Sequence, residues 1–119
     1  MFNNGTGNFS FPNIGDDLNY SIVPIYEIDL DLRVATVVWD FDYDLIWSDI
    51  CSSAYRTQSG DILINYATAE SRQVARFVLV NDGKEVLYDA SIQKRPDDFI
   101  SCQTAYSIEE IALENMVVQ

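Results

Sequence analysis

Among the residue types able to carry chemistry, histidine is missing altogether. Its absence removes the commonest general base, the commonest metal ligand, and the nucleophile of any phosphohistidine or sulfohistidine mechanism. Two cysteines, Cys51 and Cys102, stand without a base partner. They are too few for a disulfide scaffold or a Cys-rich zinc site, and they read as small buried or channel-side residues, not as nucleophiles. Asp40, Asp42 and Asp44 alternate, so an extended segment would gather three carboxylates on one face, as oxygen ligands for Ca²⁺ require. The segment lacks the glycine of a dedicated calcium loop, and a solvated acidic edge accounts for it better. Asp97-Asp98 after Arg95-Pro96 reads as a surface turn, and Trp39 and Trp47 read as packing between sheets.

The elements that must position these residues are strands. The chain has 119 residues, of which 48% are apolar, which is one domain with enough apolar mass for a core. Seven Lys and Arg against nineteen Asp and Glu give a net charge of −12. Such a surface repels a nucleic-acid backbone and an anionic membrane alike, so no nucleic-acid partner is expected. No apolar run approaches the roughly 18 residues of a membrane span. The N-terminal stretch MFNNGTGNFS has neither the basic nor the apolar region of an export signal. Short runs rich in Val, Ile, Tyr and Phe, broken by Gly, Asn and Asp, predict strands at about Ser21 to Ile28, Ala35 to Phe41, Ser53 to Thr57, Asp61 to Tyr66, Val74 to Val80, Glu85 to Ala90 and Thr104 to Ile108. Gln58-Ser59-Gly60-Asp61 and Asn81-Asp82-Gly83-Lys84 are tight hairpin turns, so neighbouring strands are antiparallel. The tail from Ile108 to Val117 is equally readable as a helix or as irregular chain.

Laid on itself, the sequence repeats. Cys51-Ser-Ser-Ala54-Tyr55 recurs as Cys102-Gln-Thr-Ala105-Tyr106, 51 residues later. Tyr26 and Phe77 are also 51 apart, while Val38-Trp39-Asp40 and Leu87-Tyr88-Asp89 are 49 apart, so the second hairpin is read as shorter by two. A period near 50 with four short strands per period is the signature of a β-propeller blade, and a β-sandwich is the alternative. The expected fold is all-β: antiparallel four-stranded blades in a partial β-propeller. Residues 1–50 form the outer part of one blade, 51–90 a complete blade, and 91–119 the start of the next blade and a tail. A closed ring needs about four or more blades, so this length makes an arc of about two.

The stretch Phe2-Asn-Asn-Gly5, Tyr20-Ser21, Tyr26-Glu-Ile-Asp29, Ala35-Thr-Val-Val-Trp39, Ser53-Ala54 and Gly60-Asp-Ile-Leu-Ile-Asn65 resembles the C-terminal part of the arylsulfotransferase propellers over roughly residues 2–90. The resemblance implies a six-bladed enzyme that moves a sulfuryl group from an aryl sulfate to a phenol without a nucleotide donor and without a cofactor. A histidine attacks sulfur in that family, and further His, Asn and Arg groups hold the sulfate oxygens. The family's histidine lies shortly before its Phe-Asp-Asn-Gly, a position that would fall before Met1. Its Arg after Tyr-Ser is Ile22 here, and its Asp before Asn-Gly is Asn3. No catalytic residue is therefore assigned, no metal ligand is expected, and the chain is expected to be inactive alone. Family members are commonly periplasmic or secreted.

In a propeller, innermost strands line the central channel. Ser52, Ser53 and Tyr55 of one blade, with Gln103, Thr104 and Tyr106 of the next, are then the channel candidates, and Arg56 is the cation beside them. Arg56 is read either as a sulfate contact or as a salt bridge to one of the carboxylates. Aryl sulfate or phenol in a complete propeller, self-association, or missing blades supplied by another chain are the partners this reading allows. A non-catalytic propeller-type binding module is the alternative function.

Overall fold

The computed structural model describes Phe2, residues 20–99, Cys102 and Ile108. Six strands form in chain order: β1 Val23–Asp29, β2 Val34–Phe41, β3 Ser53–Arg56, β4 Ile62–Ala69, β5 Val74–Val80 and β6 Val86–Gln93. A short 3₁₀ turn, Pro96–Asp98, follows, with Pro96 supplying the fixed φ that suits a first helical position. Strands β1 and β2 pair as a two-stranded sheet, and β3-β4-β5-β6 form a four-stranded meander, all antiparallel. The order β3-β4-β5-β6, with each strand beside the next in sequence, is also that of one propeller blade. The expected strand at Thr104 to Ile108 and the tail from Ile108 to Val117 lie outside the described residues, Ile108 itself excepted.

β4 is buried along its whole length. Alternation sends Ile62, Ile64 and Tyr66 to one face, paired across β5 with Val80, Val78 and Arg76. Val23 and Phe41 of the first sheet close over that face, and Ile25, Trp39, Tyr43, Ile46, Ala54 and Val86 complete the cluster, with Phe2 against Tyr66 at 5.5 Å between ring centroids. Three polar contacts fasten the same interface at its rim. The Trp39 indole N–H donates to the Asp82 carbonyl (2.9 Å), Lys84 pairs with Asp40 (2.9 Å), and the Tyr43 hydroxyl donates to Asp89 (2.6 Å), which also accepts two bonds from Arg76.

Register shifts interrupt the pairing of β1 with β2, of β4 with β5 between Tyr66 and Ala69, and of β5 with β6. Pairing jumps from Ile25↔Trp39 to Tyr26↔Val37 in the first hairpin, and from Leu79↔Tyr88 to Val80↔Val86 in the second. Trp39 and Tyr88 stand at the same point before these two shifts, and β1 Val23–Asp29 and β5 Val74–Val80 lie 51 residues apart, as Tyr26 and Phe77 do. The shift falls earlier in the first hairpin, so Glu27↔Thr36, Ile28↔Ala35 and Asp29↔Val34 continue the ladder beyond it, whereas the second ends at Val80↔Val86. In the second turn the left-handed residue is Lys84 (φ 65°), not Gly83, and the Asn81 side chain closes it on the Glu85 amide (2.9 Å). Gly60 does take a left-handed conformation (φ 93°) in the β3–β4 turn.

The cysteine reading needs correction. Cys51 and Cys102 are joined to each other in a disulfide, with Cα atoms 6.2 Å apart. The bond links the two copies of the Cys-x-x-Ala-Tyr motif, 51 residues apart.

Candidate functional site

The loop from β2 to β3 and the turn from β4 to β5 emerge at the same end of the four-stranded sheet, because β3 begins where β4 finishes, with Ser53 opposite Asn65. Hydroxyl groups knit the two together. The buried Ser48 amide donates to Ser21 Oγ (2.9 Å), and Ser21 Oγ donates back to the Ser48 carbonyl (3.2 Å). Ser48 Oγ accepts the Thr68 amide (2.9 Å) and lies 2.6 Å from Ser52 Oγ and 3.0 Å from Thr68 Oγ1. Thr68 Oγ1 lies 2.9 Å from Asp49 Oδ1, to which it donates. One proton arrangement gives every hydroxyl an acceptor: Ser52 to Ser48, Ser48 to Thr68, Thr68 to the Asp49 carboxylate. The other oxygen of Asp49 takes Nε of Arg72 (3.0 Å) and an Nη2–H of the same guanidinium.

Asp49 is the electrostatic anchor. Burial pushes its carboxyl upward, but the Arg72 guanidinium and the Thr68 hydroxyl outweigh that and hold it below the ordinary carboxylate value. The turn that presents Arg72 is under backbone strain. Glu70, Ser71 and Arg72 all have positive φ (49°, 57° and 70°), a conformation that costs a non-glycine residue about 1 kcal/mol or more. The Gln73 amide closes the turn on the Glu70 carbonyl (3.2 Å), and the Lys94 amide bonds the Gln73 carbonyl (2.9 Å). Between loop and turn lies a cavity of about 250 Å³ lined by Trp47, Asp49, Thr68, Ser71 and Arg72.

The cavity sets hydrogen-bond donors beside an aromatic side chain. Among the described residues the Arg72 side chain donates to Asp49 alone, leaving three of its five N–H donors without a protein acceptor. The Ser71 hydroxyl and the exposed Trp47 indole stand beside it. Guanidinium, hydroxyl and aromatic ring suit an oxyanion carried on a planar group. No free thiol occurs, since both cysteines are bridged. Asp49 is committed to its arginine.

The expected channel residues separate into two places. Ser52 joins the hydroxyl network, and its Oγ also accepts the Ala67 amide (3.2 Å). Ser53 and Tyr55 sit half-buried on β3. Arg56 lies at the opposite end of that strand, pairing with Asp82 (3.1 Å) and donating to the Gly60 carbonyl (2.6 Å), so it takes the salt bridge rather than a place beside Ser52. Tyr55 and Arg56 help line a second cavity of about 190 Å³ with Val23, Ile25, Ala54 and Ile62. Gln103, Thr104 and Tyr106 lie outside the described residues. Trp39 packs against the core as expected, whereas Trp47 faces the first cavity. Asp40 is held by Lys84, and among the described residues no three acidic or cysteine side chains gather as a metal site. Sequence reading passed over Ser48, Asp49, Thr68 and Arg72. Only their position flanking a long polar loop and a turn hinted at them, because the network needs residues far apart in the chain.

The family model for arylsulfotransferases (ASST) matches residues 1–110. The chain belongs to the arylsulfotransferase family. Comparison with curated proteins and with solved structures finds no match. The membership accords with the all-β fold and with the order of motifs from Phe2 to Asn65. No helix among the described residues is long and apolar enough to cross a membrane.

Proposed function

We propose that this arylsulfotransferase-family chain serves sulfuryl transfer from an aryl sulfate to a phenol as the C-terminal arc of a six-bladed propeller. Residues 1–50 would form the outer part of one blade, 51–90 a complete blade, and 91–119 the start of another. The family match over residues 1–110 carries this reading. The Arg72–Ser71–Trp47 cavity supports it, since it offers donors to sulfate oxygens beside an aromatic face. A histidine that attacks sulfur would have to come from polypeptide beyond these 119 residues, which contain none. Alone, the chain would then bind without turning over. The Cys51–Cys102 bridge further supports an oxidising compartment as the place of work.

The test has two arms. Incubated with p-nitrophenyl sulfate and a phenol, the isolated chain should release no p-nitrophenol above a buffer blank; turnover would overturn the inactive-alone reading. Titrated with the same aryl sulfate, Trp47 fluorescence should change, and Arg72→Ala should weaken binding about tenfold, the worth of one charged hydrogen bond. An unchanged fluorescence would remove this cavity from the site.

A non-catalytic binding module is the second reading. The observation favouring it is that among the described residues β1 pairs only with β2, whereas β5, the third of the four strands in its sheet, pairs on both sides.

A further inference from the structure

We propose that the Cys51–Cys102 disulfide is a redox switch on the cavity of Trp47 and Arg72. Closed, the bond holds the loop that carries Asp49 against the β4–β5 turn; opened by a dithiol, it lets that loop loosen, and the cavity's hold on an oxyanion weakens. The proposal rests on the reading of this cavity as an oxyanion site.

Three observations lead to it. First, Cys51 stands inside the hydrogen-bonded loop, two residues after Asp49 and next to Ser52. In the proton arrangement that satisfies the network, the Thr68 hydroxyl serves Asp49 and the Ser52 hydroxyl serves Ser48. Neither proton is then left for the Ile50 carbonyl, 3.3 Å from Thr68 Oγ1 and 3.4 Å from Ser52 Oγ. The Ile50 amide reaches Thr68 Oγ1 only at 3.4 Å. Among the described residues, that one long bond and the disulfide are what fasten the loop between Asp49 and Ser52.

Secondly, Cys51 has a left-handed backbone (φ 62°). A residue with a Cβ keeps that conformation only where its surroundings impose it, and the tether to Cys102 supplies that imposition. Freed, Cys51 can return to negative φ, which redirects the chain on either side, so that Asp49 holds Arg72 less firmly and Trp47 is no longer fixed as a wall. Asp49 stays on the same loop in both states, so the difference lies in order and not in net charge. Thirdly, the bond can open without undoing the core. Both cysteines are half-buried, so a thiolate can reach them, and neither belongs to the apolar cluster that joins the two sheets. One thiolate of the dithiol attacks a cysteine sulfur, the S–S bond breaks, and a mixed disulfide forms. The second thiol of the reductant then displaces the protein sulfur, leaving two cysteine thiols and a cyclic disulfide, with two electrons and two protons passed to the protein.

Hydrogen exchange without ligand, on the oxidised chain and on the chain kept in dithiothreitol, reads the loop itself. The Ser48 and Thr68 amides, which donate to Ser21 Oγ and Ser48 Oγ, should exchange about tenfold faster after reduction, while amides of the β5–β6 ladder keep their protection. Protection lost in that ladder as well would make the bond a stabiliser of the whole fold and overturn the switch, as would unchanged protection at Ser48 and Thr68. Titration with p-nitrophenyl sulfate, followed by Trp47 fluorescence, should give a dissociation constant about tenfold higher in the reduced chain, the effect of ordering Arg72 and Trp47 anew at each binding event. Reoxidation should restore the tighter binding. Cys51→Ser with Cys102→Ser should bind as the reduced chain does and ignore the dithiol; a variant that still responded would place the effect elsewhere and overturn the proposal. Equal or tighter affinity after reduction overturns the switch and leaves the oxyanion site standing, whereas no binding in either state removes the site and the switch with it.

Discussion

At the residue scale, two environments lead to opposite expectations for their polar groups. The Tyr66 hydroxyl is buried, and among the described residues it has no hydrogen-bond partner. Burial raises its pKa, and the negative charge of Asp42 adds to the effect. A buried unsatisfied hydroxyl costs roughly 1 to 3 kcal/mol. Tyr66→Phe should therefore leave thermal stability unchanged or raise it by up to about 1 kcal/mol; a loss larger than that in denaturant titration would show that the hydroxyl is satisfied. Asp89 behaves differently. Its two bonds from Arg76 lower its pKa, burial opposes them, and the Tyr43 hydroxyl lowers it further. Asp49 is depressed as well, with Arg72 and Thr68 overcoming burial. A carboxyl whose folded pKa lies below its unfolded value contributes stability in full above the unfolded pKa, and loses it as pH falls through the folded one. Stability should thus be level near neutrality and decline on acidification from about pH 5 downward. Asp89→Asn should be less stable at pH 7 and show a shallower acid decline; parallel pH profiles for the two proteins would remove Asp89 from the account.

At the element scale the disulfide makes the sharpest prediction. It closes a loop of 51 residues, and in the chain-entropy view a loop of that size stabilises by about 4 kcal/mol, with 2 to 4 typical in practice. Cys51→Ser or Cys102→Ser should lower the melting temperature, a thiol titration of the denatured wild-type chain should find no free thiol, and added reductant should reproduce the variants. Titration of two thiols without reductant would refute the bridge. The strands themselves were legible because Val, Ile and aromatic runs stop at Gly, Asn and Asp turns: β5 falls where the residues put it, and β1 and β2 within a residue or two. β4 runs on through Ala67-Thr68-Ala69, three small residues whose strand character comes from burial against neighbours and not from propensity. β6 likewise extends past Ala90 because β5 offers a partner as far as Val74. The pairing of Cys51 with Cys102 was hidden for another reason. Counting cysteines speaks to scaffolds, whereas the bond depends on repeats standing side by side. Arg72 and Asp49 could not be linked from sequence at all, being joined only once the loop and the turn share one end of the sheet.

At the scale of the whole molecule, what is open matters as much as what is closed. The four-stranded sheet has its apolar face covered by Val23, Phe41 and their neighbours, a cooperative core. Beyond it, Tyr26 and Ile28 follow Pro24 along β1 on alternate positions, which turns them away from that core, and both are exposed together with Val37, the cross-strand partner of Tyr26. In a complete ring this face would meet the preceding blade. Phe99, after the 3₁₀ turn, is half-buried. The uncovered apolar surface is on the first hairpin instead. Each large side chain left in water forfeits roughly 1.5 to 3 kcal/mol of burial, and a domain's net stability is only about 5 to 15 kcal/mol, so three or four such losses bring the chain near the threshold. The isolated chain should therefore bind a hydrophobic dye in native buffer and melt at the low end of the mesophilic range. Tyr26→Lys with Ile28→Lys should reduce dye binding while barely changing the melting temperature, because neither side chain supports the core. A cooperative transition above about 60 °C without dye binding would mean that this face is covered, and that the first hairpin belongs to a closed sandwich rather than to an arc.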